Sequence, residues 1–236
     1  MKMYTKICWF SFCGVVGMIM LGATLSMASL FSSTFDADAE RWSIFAVEPD
    51  GSISGTYPVY WSASGGLPGG LIYSPDVGSS TSAYSFAAPS EYLGDKTAYV
   101  GGTFSFDIKN SFANYNGGES FYNTFIKGAG VTLTHKGPYP RIANSWQHAE
   151  AQLNAASWTQ IIDESNWNGV VTPEMFSTVM ANLEGIYIYA DWGWGADTAY
   201  LDNVSLSLVP EPISMLLFGT GLVGIGGYVR KKIKQR

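Results

Sequence analysis

Tyr200-Leu201-Asp202-Asn203-Val204-Ser205-Leu206-Ser207-Leu208 is the stretch on which the fold reading turns. Tyr200, Asp202, Val204, Leu206 and Leu208 alternate with Leu201, Asn203, Ser205 and Ser207, the two-residue period of a strand with two unlike faces. Seven other short segments have the same character: residues 54–60, 71–73, 102–108, 130–134, 149–153, 158–162 and 186–190. They are rich in β-branched and aromatic residues and are separated by clusters of Gly, Pro, Asn, Asp and Ser. Many short strands with punctuated turns predict a mainly β protein, an antiparallel jelly-roll β-sandwich.

One helix is predicted, from Thr172. Threonine is a good N-cap, Pro173 suits the first helical position, and Glu174 suits the positive end of the helix dipole. Met175, Phe176, Val179, Met180 and Leu183 form an apolar stripe, and Gly185 is expected to stop the helix before a strand. The serine-rich segment 78–85 reads as a loop, and Gly65-Gly66, Gly69-Gly70 and Gly117-Gly118 read as turns. No glycine pair leads into a helix carrying a lysine, so none reads as a phosphate loop.

The two ends of the chain carry addresses. Lys2 and Lys6 precede a mostly apolar stretch, 7–25, and Ser26-Met27-Ala28 offers small residues where a signal peptidase reads, so residues 1–28 are expected to be a signal peptide. At the other end stand Pro210-Glu211-Pro212, the uncharged run 213–229, and the basic tail Arg230, Lys231, Lys232, Lys234 and Arg236. As a helix, the 17 residues of that run span roughly 25 Å, near the thickness of a hydrocarbon core. The basic cluster favours a cytoplasmic C-terminus, which places the bulk of the chain on the periplasmic side of an inner membrane.

Pro-Glu-Pro, a glycine-rich apolar span (Gly219, Gly221, Gly224, Gly226, Gly227) and a terminal Arg/Lys cluster resemble the PEP-CTERM sorting signal of exported bacterial proteins. The resemblance implies that residues 210–236 are held in the inner membrane as a transmembrane helix and recognised by an exosortase, which cuts near Pro-Glu-Pro. The product then passes to the cell surface or extracellular matrix, in bacteria that often make exopolysaccharide.

Residues 29–209 suit one domain. Both cysteines, Cys8 and Cys13, lie in the removable leader, so the mature domain is expected to be held by its core alone or by a core plus a metal. The region carries six Lys/Arg against eighteen Asp/Glu, a net of −12. That balance excludes a basic face for nucleic acid and disfavours polyanionic partners.

Within this region Trp61, Gly69-Gly70, Asp76, Ala88-Pro89, Tyr92-Leu93-Gly94-Asp95, Tyr99, Gly101-Gly102 and Phe104 with Phe106 occur in order. Leu133, Trp158, Val171-Thr172-Pro173-Glu174-Met175-Phe176 through Leu183-Glu184, and Tyr200-Leu201-Asp202-Asn203-Val204 follow. This order resembles the laminin B (laminin domain IV) module over residues 35–208. The resemblance implies an antiparallel β-sandwich related to carbohydrate-binding jelly rolls, and an adhesive or structural role in extracellular matrix. Segments 110–127 and 191–198 depart from the pattern. Jelly rolls of this kind often hold one calcium between their first and last strands, and Asp36, Asp38 and Asp202 stand where such ligands arise, with backbone carbonyls supplying the remaining oxygens.

Aromatic faces stack on sugar rings, and Trp192-Gly193-Trp194-Gly195-Ala196-Asp197 reads as a loop presenting two indoles beside Asp197, a candidate glycan site. Trp61 and Trp158, inside family-like strand positions, read as packing residues. Catalysis has little support: there are two histidines, His135 and His148, and no Gly-x-Ser-x-Gly elbow. Adjacent carboxylates such as Asp163-Glu164 would point to opposite faces of a strand. The expected function is that of an exported, non-catalytic adhesive or structural module associated with exopolysaccharide. A specific carbohydrate-binding lectin is the second reading and a polysaccharide-active enzyme the third.

Overall fold

The computed structural model describes residues 30–47, 53–77, 83–112, 121–163, 165–193 and 196–209. The expected signal peptide, the segment 210–236 with its apolar span and basic tail, and Trp194 lie outside the described residues. Among the described residues no helix is long and apolar enough to cross a membrane.

Among the described residues thirteen strands and one α-helix follow in chain order. The strands are β1 (Leu30–Ser33), β2 (Ser43–Val47), β3 (Ile53–Pro58), β4 (Tyr60–Ser62), β5 (Leu71–Pro75), β6 (Ala83–Ala87) and β7 (Thr103–Asn110), then β8 (Phe121–Gly128), β9 (Val131–Gly137), β10 (Gln147–Gln152) and β11 (Thr159–Ile161). The helix α1 (Pro173–Ala181) precedes β12 (Leu183–Tyr189) and β13 (Thr198–Ser207). One sheet runs β10-β7-β13-β5-β4 with β1 also paired to β13, and the second runs β11-β9-β8-β12-β6-β2-β3, with antiparallel pairing throughout.

Strict alternation makes the core. In β7, Phe104, Phe106 and Ile108 are buried while Thr103, Ser105, Asp107 and Lys109 face outward. From the second sheet Ile44, Phe86, Ile126, Leu133, Ile186 and Ile188 join the same buried cluster. Thr172 caps α1 as expected, its side chain accepting from the Met175 N–H, with Pro173 at the helix start. Phe176, Val179 and Met180 turn inward, and Phe176 meets Trp158.

The local readings needed four corrections. Residues 83–87 form β6 rather than loop, because Tyr84 and Phe86 alternate with small residues and are buried, a period that the surrounding serines obscure. Helix α1 stops at Asn182, whose N–H bonds the Val179 carbonyl, and Leu183 already belongs to a strand, so Gly185 is not the terminator. Strand β13 does not hold one phase. A bulge between Asp202 and Ser205, with Asn203 at φ 51°, shifts the alternation, so Tyr200 faces outward with Asn203, Ser205 and Ser207 while Leu201, Val204 and Leu206 are buried. Trp61 is 39% exposed at the sheet edge, whereas Trp158 is buried.

Candidate functional site

The bulge places Asp202 midway along β13, at a crowded point between the stretches paired with β5 and β1. Its carboxylate is fully buried and accepts from the Leu67 N–H at 2.6 Å and the Asn203 N–H at 2.7 Å. The turn at residues 66–70 lies against it. Asp36 meets the same turn through the Gly70 N–H at 3.5 Å, and the Phe35 carbonyl accepts from Trp61 Nε1 at 2.6 Å. A Cβ on Gly66 would sit 2.5 Å from Asp202 Oδ2; on Gly69 it would collide with Asp36 Oδ1, and on Gly70 with the Phe35 carbonyl oxygen. The three glycines therefore let the turn pack directly against side-chain and backbone oxygens that converge on it. Burial, and beyond it the charges of Asp107 and Asp36, push the Asp202 carboxyl above its ordinary value. Asp38 stands apart, accepting from the Glu40 N–H at 2.7 Å.

Of the loop expected to present two indoles, the described Trp192 is buried instead. Trp192 is 4% exposed, lying flat on Tyr139 (centroids 5.7 Å, 12°) and edge-on to Tyr189 and Phe121. Its faces are covered by protein rings and are closed to a sugar. Asp197 is also buried, accepting from Tyr84 Oη, Asn110 Nδ2 and the Trp192 N–H. Around it stand Asp76 and Asp191, which sequence reasoning did not group. The ligand oxygens of the three carboxylates lie within 4.8 Å of one another. Burial, then the charges of Asp197 and Asp76, push Asp191 up to about 7.

The sign of that shift has a measurable consequence. Between the ordinary carboxylate value and about 7 the native protein binds the proton that the unfolded chain releases, so this group's stabilisation is full at low pH and is lost as pH rises through that window. Melting temperature is expected to be higher at pH 5 than at pH 8. Asp191→Asn should flatten this dependence and raise the melting temperature at pH 8; an unchanged profile would remove Asp191 as its source.

A third arrangement was invisible in sequence. On the outward face of the first sheet Tyr60 pairs with Tyr73, Tyr73 with Tyr200, and Tyr200 with Lys109. The tyrosine rings are stacked at 5.3 and 5.8 Å, and Lys109 Nζ lies 4.5 Å from the ring centroids of both Tyr200 and Trp146. Five side chains thus form one row, four on neighbouring strands and Trp146 on the residue before β10. Beside it runs a polar row: His148 Nδ1 to Asp107 Oδ1 at 2.8 Å, and Asn203 Nδ2 donating to Asp107 Oδ2 and the Leu67 carbonyl. Sequence patterns place Tyr200 and Asn203 on one strand but do not assemble either row, because cross-strand register cannot be read from one chain segment.

Comparison with known proteins agrees with this architecture. Residues 85–212 match the model of the laminin B (domain IV) family, and residues 208–232 match the PEP-CTERM protein-sorting motif. Among solved structures the chain is similar to the L4b domain of human laminin alpha-2, at 14% identity and a TM-score of 0.58, covering 77% of this chain and 98% of that one. It is also similar to a family 11 carbohydrate-binding module of a Clostridium thermocellum cellulosomal cellulase, at 18% identity and a TM-score of 0.49, covering 79% and 98%. No curated protein matches the chain.

Proposed function

Because the chain belongs to the laminin B (domain IV) family and carries a PEP-CTERM sorting motif, we propose that it is an exported, non-catalytic module associated with extracellular polysaccharide. Signal peptidase removes the leader, the apolar span 213–229 holds the chain in the inner membrane with the domain on the periplasmic side, and an exosortase processes it near Pro210-Glu211-Pro212. The domain then resides at the cell surface or in the matrix.

The observation that carries the polysaccharide association is the outward face of the first sheet, where a row of aromatic rings adjoins a row of hydrogen-bonding groups. Aromatic surface with a few placed polar groups suits sugar recognition. Topology supports its accessibility. Leu30 pairs with Ser207, so both ends of the domain leave from one pole. Tyr200 lies seven residues up β13 from Ser207, roughly 20 Å away at the rise of a strand. A domain tethered through its C-terminus would hold the row away from the membrane.

Calcium at the turn beside Asp36 and Asp202 is the second part of this reading. It rests on the approach of Asp36 Oδ1, Asp202 Oδ2 and the Phe35 carbonyl to the same glycine turn, a set of hard oxygen donors suited to that ion. Asp38 accepts from the Glu40 N–H, as Asp202 does from the Leu67 and Asn203 N–H groups, and stays among the candidate ligands.

Fractionation tests the function. With an epitope tag placed after Arg236 and a second inside the domain, exosortase-competent cells should lose the terminal tag. They should retain the internal one in the polysaccharide fraction, with the polymer's length unchanged. Quantitative recovery of the internal tag in a low-salt wash, free of polysaccharide, would overturn the association.

A further inference from the structure

Resting on the polysaccharide reading above, we propose that the row Tyr60, Tyr73, Tyr200, Lys109 and Trp146 takes an uncharged, unbranched glycan laid across the strands from one sheet edge to the other, and turns away polyuronates. The ends of the row define the length of the ligand. Tyr60 sits on β4 and Trp146 immediately precedes β10, the two terminal strands of the sheet path. Among the described residues no strand lies beyond either ring, and Tyr60 is 56% exposed. Four strand spacings separate the two edges, about 19 Å, which accommodates several consecutive sugar rings rather than one.

The middle of the row supplies hydrogen bonds. Among the described residues the phenol oxygens of Tyr60, Tyr73 and Tyr200 have no hydrogen-bond partner in the protein, and Lys109 Nζ has no carboxylate partner. Phenol hydroxyls, and an ammonium held over two rings with no carboxylate partner among the described residues, match the alternating donors and acceptors of sugar hydroxyls.

Charge decides between glycan classes. Along the strands on one side of the row stand Asp107, two residues from Lys109, and Glu150 beyond it. On the other side stands the exposed Asp76, three residues past Tyr73. At about 3.3 Å per residue the nearer of these carboxylates is some 7 Å from the row and Asp76 about 10 Å, comparable to a Debye length near 8 Å at physiological ionic strength. A polyanion would meet acidic groups on both flanks and one ammonium between two rings. An uncharged chain meets no such repulsion and keeps the ring contacts.

Affinity electrophoresis of the full-length protein, in a detergent without a sugar headgroup, tests this. Probes are three neutral linear polymers (an unbranched β-glucan, an unsubstituted xylan and a linear mannan) and polygalacturonate. At least one neutral polymer should retard the protein and polygalacturonate should not. Retardation should weaken at least tenfold in Tyr200→Ala and in Tyr73→Ala, with folding checked by melting, and oligosaccharides of that polymer should bind more tightly as they lengthen to four or more units. Glu150→Lys should allow measurable retardation by polygalacturonate. Retardation by polygalacturonate equal to or stronger than by every neutral polymer overturns the charge assignment while leaving the polysaccharide reading standing. Retardation by a neutral polymer that survives both tyrosine substitutions overturns the row as the site. Retardation by none of the four overturns both.

Discussion

Gly70→Ala is expected to lower stability by about 3 kcal/mol or more, the upper range of overpacking in a close-packed interior. In a domain of this size that corresponds to roughly 10 °C in melting temperature. The added Cβ would collide with the Phe35 carbonyl oxygen and lie close to the Ser62 carbonyl, so no side-chain rotation relieves it. The backbone must move, and it is anchored there by Trp61 Nε1 on the Phe35 carbonyl and by Asp202 on the Leu67 N–H. Gly94→Ala is the control. Gly94 has φ 84° but nothing within 4 Å of a Cβ, so only the left-handed backbone is penalised, about 1 kcal/mol. Equal losses in the two variants would show that crowding at the turn is not the cause. The same turn carries the calcium proposal. Calcium should raise the melting temperature of the wild type, and Asp202→Asn should abolish that rise whereas Asp191→Asn should not. No calcium response in the wild type would remove the ion from the account.

Trp192→Ala is expected to be as severe, about 3 to 5 kcal/mol, the range for emptying a large aromatic site in a core. The indole is enclosed by Tyr139, Tyr189 and Phe121, and its removal leaves a cavity among three rings that cannot all collapse into it. Trp192→Phe separates ring burial from hydrogen bonding. Among the described residues Trp192 Nε1 has no hydrogen-bond partner, so phenylalanine deletes an unpaired buried donor along with part of the ring. Its loss should therefore be much smaller than that of alanine, near 1 kcal/mol. Should Trp192→Ala melt like the wild type and lose only sugar binding, the residue would be a ligand contact after all. The two variants thus decide between a core residue and the glycan-facing indole that the Trp-Gly-Trp-Gly spacing suggested.

The contrast between Trp192 and Tyr200 explains what a single sequence conveys about the sites. Two tryptophans separated by glycine look like a presenting loop because local composition favours a turn. Whether the turn opens to solvent depends on Tyr139 and Phe121, more than fifty residues away. Tyr200 looked like one more strand residue. Its place in a row comes from neighbours on β4, β5 and β7, and the register of those pairs follows from the bulge at residues 202–205, which reverses the phase that strict alternation would give. Asp197 likewise joins Asp76 and Asp191 only because β5 and β13 pair so as to bring residues 121 apart to one end of the sheet.

By itself the sequence determined the features whose physics is local. Thr172-Pro173 begins a helix through capping and a preset φ, alternation in residues such as 103–110 makes half-buried strands, and the order of motifs marks both the laminin B module and the sorting tail. Tertiary structure alone decided which groups share space. It buried Trp192 and Asp197, set Asp36, Asp202 and the Phe35 carbonyl around one glycine turn, and aligned Tyr60, Tyr73, Tyr200 and Lys109 across four strands. These are contacts between residues far apart in sequence, fixed by strand order and register, and no pattern within a segment encodes them.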